Sequence, residues 1–325
     1  MQTRLTELLQ IEHPVMLAGM GGVSYNELAA AVSNAGGIGT IGAAPLSPDE
    51  MAFEIAETAK ATDKPFGVDL LAALPDSLTR GVDLIISGGA ALFVAGLGVP
   101  RDILGQLHEA GVLVASMCGK VRHAVSAVES GVDFVIVQGT EAGGHTGLIA
   151  TLPLIPQVVD AVGDRVPVVA AGGIYDGRGL AASLALGADG VWMGTRFIAT
   201  PEALTVRGYK DALLRSREDD TVISKGYSGK PMRVVRNSWT SEVEGDPSML
   251  KPFPEMMLHS LERGVLHLGG DENTVVDIDR ECYPAGQLIG ALDALVPAGD
   301  IVRSVVAEAE ATLDRLTNLT RARRP

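Results

Sequence analysis

The run QGTEAGGHTG, from Gln138 to Gly147, holds the residues best suited to chemistry. An imidazole exchanges protons near neutral pH, and His145 stands here among Gly143, Gly144 and Gly147. Glycine at 143 and 144 leaves the path of a ligand clear. His145 is therefore the candidate catalytic residue, although a loop histidine standing alone is more often a surface group. Thr140 and Glu141 are expected to fix the loop by local hydrogen bonds. His13, His108 and His123 fall before the first strand or on outer helices, and His259 and His267 fall in a later region where they could line a pocket.

A second constellation suits an anion. AAGGI carries Gly172 and Gly173, and MGTRF carries Gly194 and Thr195. Glycine brings backbone N–H groups close to a phosphate, and the helix starting near Asp176 is expected to add its positive end. Either motif alone is an ordinary tight turn; two in register on consecutive strands point to a phosphate cradle. In LAGMGGVS, the stretch Ala18, Gly19, Met20, Gly21 and Gly22 lets backbone approach a flat ligand, or simply turns the chain into a helix. Asp69, in PFGVDLL, faces the same mouth unless it only caps a helix.

These residues need a scaffold that gathers strand ends. Short apolar runs rich in β-branched residues alternate with helix-period segments. Eight strands are predicted: PVMLA from Pro14, GIGTIGA from Gly37, PFGVDLL from Pro65, ALFVAGLG from Ala91, VLVASM from Val112, FVIVQG from Phe134, PVVAAGG from Pro167 and GVWMGTRF from Gly190. They are apolar on both faces, as parallel strands under helices are, which predicts an α/β fold of the (β/α)8 TIM-barrel class. The third unit, PDSLTRGVDLIISGG, is too short and polar to predict a secure helix, so an open doubly wound sheet stays as the alternative. The expected organisation is a barrel over 1–200, a small cap or insertion over 201–285, and C-terminal helices over 286–325 that return to the barrel, ending in a frayed basic tail, TNLTRARRP.

Composition narrows the function classes. The chain has 325 residues, 46% hydrophobic and 4% aromatic, with a net charge of −14 spread along its length. That balance argues against nucleic acid or an anionic membrane as partner. Cys118 and Cys282 form neither a disulfide framework nor a metal-ligand pattern, so no metal is expected and the thiols suit the cytoplasm. The start lacks a signal-peptide pattern, and no apolar run reaches the roughly 20 residues of a membrane span.

The motifs MLAGMGG, NAGGIGTIGA, DKPFGVDLL, QGTEAGGHTG, AAGGIYDGRG and GTRF occur in one order over the first 200 residues. With DTVISKGYSGKPMRVVRNSW and PAGQLIG they make the chain resemble the nitronate monooxygenase family, formerly 2-nitropropane dioxygenases, which includes the FMN-dependent enoyl-acyl-carrier-protein reductases. The resemblance implies FMN as cofactor, its phosphate held by Gly172, Gly173, Gly194 and Thr195. It implies the isoalloxazine ring lying against Ala18 to Gly22, with Gln138 and Gly143 beside it, and His145 as the active-site histidine. Two positions depart from the family: Asp69 replaces a common Asn, and Trp192 a common Gln. The implied reactions are oxidation of a nitronate by O2 to a carbonyl compound and nitrite, or reduction of an enoyl thioester with NAD(P)H as co-substrate. A passive FMN- or phosphate-binding barrel is the non-catalytic alternative, and whether the barrel forms a homodimer is left open.

Overall fold

A computed structural model of the chain describes residues 1–71, 75–96, 98–99 and 101–321. Eight parallel strands form its centre: β1 (Val15–Leu17), β2 (Gly39–Gly42), β3 (Phe66–Leu71), β4 (Leu92–Gly96), β5 (Leu113–Cys118), β6 (Phe134–Gln138), β8 (Val168–Ala171) and β9 (Gly190–Met193). The two-residue strand β7 (Gly144–His145) belongs to a different sheet. The barrel strands pair in the order β1-β9-β8-β6-β5-β4-β3-β2, and a parallel bridge between Met16 and Ile38 joins the two ends. That bridge excludes the open doubly wound sheet.

Strand alternation sorts the side chains into two cores. Val15, Leu17, Val68, Val135, Val137 and Val191 point outward under the helices. Met16, Ile38, Val94, Ile136, Val169 and Trp192 fill the barrel interior. The same alternation turns Asp69 and Gln138 inward at the C-terminal ends of their strands. The opposite end is plugged by α1 (Arg4–Leu9), whose Leu5 and Leu9 join the interior cluster.

The surrounding helices are α2 (Asn26–Asn34), α3 (Pro48–Ala61), α4 (Pro75–Ser87), α5 (Leu104–Glu109), α6 (Val121–Ser130), α7 (Thr151–Val162) and α8 (Gly177–Ala185). Their starts follow from local sequence: Ser47 caps α3 in a capping box with Glu50, and Pro48 follows it. The third unit does form a helix, α4, because its buried Leu78, Val82 and Ile85 supply an apolar stripe at helical spacing that its polar surroundings obscure.

After β9 the chain makes α9 (Thr195–Ile198) and α10 (Tyr209–Arg215), whose Tyr209 and Leu213 pack into the outer core. A lobe follows, built on β10 (Thr221–Ser224), β11 (Met232–Val235), α11 (Ser238–Gly245) and α12 (Glu255–Glu262). It has its own core, including Tyr227, Val234, Trp239, Met256 and Val265, and the Trp239 indole N–H donates to the Gly226 carbonyl at 2.9 Å. The long α13 (Ala298–Arg321) then packs between α8 and α2, taking the place of an eighth barrel helix. Its range makes TNLTR helical, while 322–325 lie outside the described residues. Among the described residues, no helix is long and apolar enough to cross a membrane.

Candidate active site

His145 is placed by a sheet that joins the barrel to the lobe. Its strand β7 pairs antiparallel with β11, setting His145 opposite Met232 and Gly144 opposite Arg233. The imidazole Nε2 lies 2.9 Å from the Ser228 hydroxyl, and the Gln138 amide donates to the His145 carbonyl at 2.7 Å. The buried Arg233 holds the loop's start, donating from Nε to the Thr140 carbonyl at 2.9 Å and from Nη1 to the Thr221 hydroxyl at 3.1 Å. Burial, with Lys230 adding to it, lowers the His145 pKa to about 4, so the ring is neutral near pH 7.

Glu141 serves the loop, as expected. Its carboxylate accepts from the Thr151 N–H at 2.9 Å and the Thr151 hydroxyl at 2.8 Å, at the start of α7. Segment 284–287 stitches two motifs together: the Gln287 N–H donates to the Glu141 carbonyl at 2.9 Å, and the Gly286 N–H to the Thr195 hydroxyl at 2.9 Å. Gly143 packs on this segment, where a Cβ would lie 2.8 Å from the Gly286 nitrogen.

Gly172 turns the chain after β8 with φ +104, and a Cβ there would meet the Thr151 hydroxyl at 2.8 Å, so only glycine fits. Gly173 follows in the same turn. Among the described residues, the N–H groups of Gly172, Gly173 and Ile174 have no acceptor. A cavity of about 360 Å3 opens beside them, lined in part by Glu141, Thr151, Tyr175 and Gln287. Free N–H groups at a glycine turn next to open space suit an anion. The start of α8 does not add to them as expected. Asp176 accepts there from the Gly179 N–H at 3.1 Å and Glu308 from the Gly177 N–H at 2.7 Å, so two carboxylates already occupy it.

The remaining predicted residues meet at the barrel mouth. A Cβ on Gly194 would lie 3.3 Å from the Met20 sulfur and 3.4 Å from the Ala18 Cβ, and one on Gly19 would strike the Asp69 Cβ at 2.2 Å. Gly21 abuts Pro45, and Gly22 faces Leu268 and Gly269 of the lobe. Burial raises Asp69 well above the usual carboxylate range, because its charged form loses solvation there. Trp192 is buried in the barrel interior. The other histidines stand apart: His267 pairs with the buried Glu281 at 2.7 Å, and His259 lies beside Trp239. Sequence reasoning missed Ser228 and Arg233. The only signal for them was the family-like run GYSGKPMRVV, whose residues carry no pattern of their own that points to a histidine 83 positions away.

A barrel mouth with a glycine turn suited to an anion on one side and a half-buried histidine, neutral near pH 7, on the other is the arrangement of a TIM-barrel enzyme. Comparison with known proteins refines that class. The nitronate monooxygenase family profile matches residues 2–81 and 76–308, and the chain belongs to that family, one of flavoenzymes. It is an oxidoreductase. The chain is 36% identical to (3aS,4S,5R,7aS)-5-hydroxy-7a-methyl-1-oxo-octahydro-1H-indene-4-carboxyl-CoA dehydrogenase of Mycobacterium tuberculosis, over 99% of this chain and 98% of that protein. It is 34% identical to a probable nitronate monooxygenase of Staphylococcus saprophyticus, over 78% of this chain and 84% of that protein. The solved structure of FabK from Thermotoga maritima superposes with a TM-score of 0.87 at 35% identity, covering 98% of this chain and 99% of that one.

Proposed function

We propose that this chain is a cytoplasmic, FMN-dependent oxidoreductase that oxidises alkyl nitronates with O2 to a carbonyl compound and nitrite. The observation that carries the reading is His145, a neutral imidazole tied to Ser228 at 2.9 Å on the strand that joins lobe to barrel. FMN, when bound, supplies the electron acceptor that no side chain provides. The residues fit it: the free N–H groups of Gly172 and Gly173, with Gly194 and Thr195, would hold the phosphate. Ala18, Gly19, Met20 and Gly21 would face the isoalloxazine, with Gln138, Gly143 and Gly144 at its side. Burial raises the Asp69 pKa and so disfavours a negative charge beside the ring. His145 orients the nitronate, or takes the acidic α-proton of the neutral nitroalkane. The lobe within 201–285 closes the substrate side. Buried free thiols at Cys118 and Cys282 accord with a reducing compartment.

The FabK structure, which superposes over 98% of this chain, and the carboxyl-CoA dehydrogenase relative, named for a CoA thioester, support a second reading, an NAD(P)H-dependent reductase of enoyl thioesters. There His145 would stabilise the thioester oxygen. The two are separated by recording the visible spectrum of the purified protein and mixing it anaerobically with NADPH, NADH and propyl-2-nitronate in turn. Bleaching by nitronate alone supports the first reading, and rapid bleaching by a nicotinamide the second. A colourless protein that FMN does not reconstitute overturns both.

A further inference from the structure

The turn that presents Ser228 to His145 also carries a cation with no acidic partner. Lys230 is half-buried, and among the described residues it makes no ion pair. Its ammonium instead sits 4.1 Å from the centre of the Phe253 ring. The turn is built to hold it there. Gly229 takes φ +83, and a Cβ on it would strike the Phe253 nitrogen at 2.6 Å and the Lys251 carbonyl at 2.8 Å, so the turn packs against 251–253. The Ser228 hydroxyl closes the turn, accepting from the Lys230 N–H and donating to the Lys230 carbonyl, each at 3.3 Å. Strand β11 begins two residues later, so the fold carries Lys230 alongside His145.

We propose that Lys230 is the specificity residue that recognises an oxyanion held against His145. A cation kept at a site wall by an aromatic face retains its charge for a ligand, which a carboxylate partner would neutralise. Lys230 also lies close enough to His145 for its charge to disfavour the imidazolium, while the Glu141 carboxylate on the same loop accepts hydrogen bonds from Thr151 and burial disfavours the charged form of Asp69. The inference deepens the functional reading and rests on it for the ligand's identity. The shared chemistry is a negative oxygen next to the reacting carbon, present in a nitronate from the start and developing on the oxygen of an enoyl thioester as hydride arrives.

The test uses the FMN-loaded enzyme and its Lys230→Met and Lys230→Arg variants. Calorimetric titration with sodium nitrate, a planar anion shaped like the nitronate group, is expected to show Kd rising roughly 10- to 100-fold in Lys230→Met, the scale of a charge-assisted contact, and little in Lys230→Arg. KM for propyl-2-nitronate should rise in parallel while KM for 2-nitropropane, which carries no charge until its α-proton leaves, holds, and a fall in kcat for crotonyl-CoA instead assigns the oxyanion to the thioester. The acid limb of kcat/KM should also move to higher pH in Lys230→Met, because removing the cation relieves the repulsion that disfavours the imidazolium. Wild-type enzyme that binds no nitrate, an unchanged nitrate Kd in Lys230→Met, or equal rises in KM for propyl-2-nitronate and uncharged 2-nitropropane would overturn the assignment. An enzyme inert to nitronates ends the monooxygenase reading, while the nitrate titration still decides Lys230.

Discussion

On the barrel side of the mouth, at Gly172, Gly173, Gly194 and the 18–22 stretch, the candidate site is made of backbone brought close by glycine. On the lobe side it is made of side chains, Ser228, Lys230 and Arg233, set on one turn and one strand that reach His145 from outside the barrel. The contrast assigns different tasks. Backbone N–H groups cannot be exchanged by mutation and suit a constant cofactor group, whereas side chains are the means by which a family changes substrate while keeping its cofactor. His145 stands where the two meet, its loop rooted in β6 and its strand paired to β11.

Substitutions on each side should therefore fail in different ways. The largest effect is expected from Gly172→Val: a branched side chain at φ +104 pressing on the Thr151 hydroxyl should distort the anion turn and release FMN, abolishing turnover. Retained flavin absorbance after desalting would break the assignment of that turn to the phosphate. His145→Ala should keep FMN and slow turnover by roughly 10²-fold or more, the scale of general acid–base catalysis. Unchanged steady-state rates would remove it from the mechanism. Ser228→Ala should come next, at roughly fivefold to tenfold, as befits the loss of one hydrogen bond, again with FMN retained. FMN loss in this variant would show that the lobe also holds the cofactor.

The smallest effect on turnover is expected from Asp69→Asn, since Asn keeps the shape of Asp at a site where burial disfavours the charge. Stability is the sharper measure. The folded-state pKa of Asp69 is raised, so the unfolded chain loses its proton first. Its unfavourable contribution is therefore absent below the ordinary carboxylate pKa and grows as pH rises from there toward the raised folded value. Asp69→Asn should raise Tm more at pH 8 than at pH 4, and a pH-independent difference in melting curves would contradict the raised pKa.

The eight strands were legible because each needs only a local pattern, a β-branched apolar run bounded by Gly or Pro. Helix α4 was less so, since its apolar stripe at Leu78, Val82 and Ile85 is thin and becomes convincing only against a barrel that buries it. The paired glycine turns could be read because their requirement is conformational and shows in residue type. The start of α8 misled for the complementary reason: Glu308, which occupies its N–H groups along with Asp176, arrives from a helix 131 residues later.

What the sequence by itself determined was the barrel, the glycine turns that suit an anion, and a histidine on a cleared loop, all properties of residues within a few positions of one another. Tertiary structure decided what that histidine is. Strand β11 crosses from the lobe to pair with β7, placing Ser228 at its Nε2 and Lys230 close by, and burial brings its pKa to about 4. Those effects depend on desolvation and on partners some 83 residues away, and both arise only when the chain has folded.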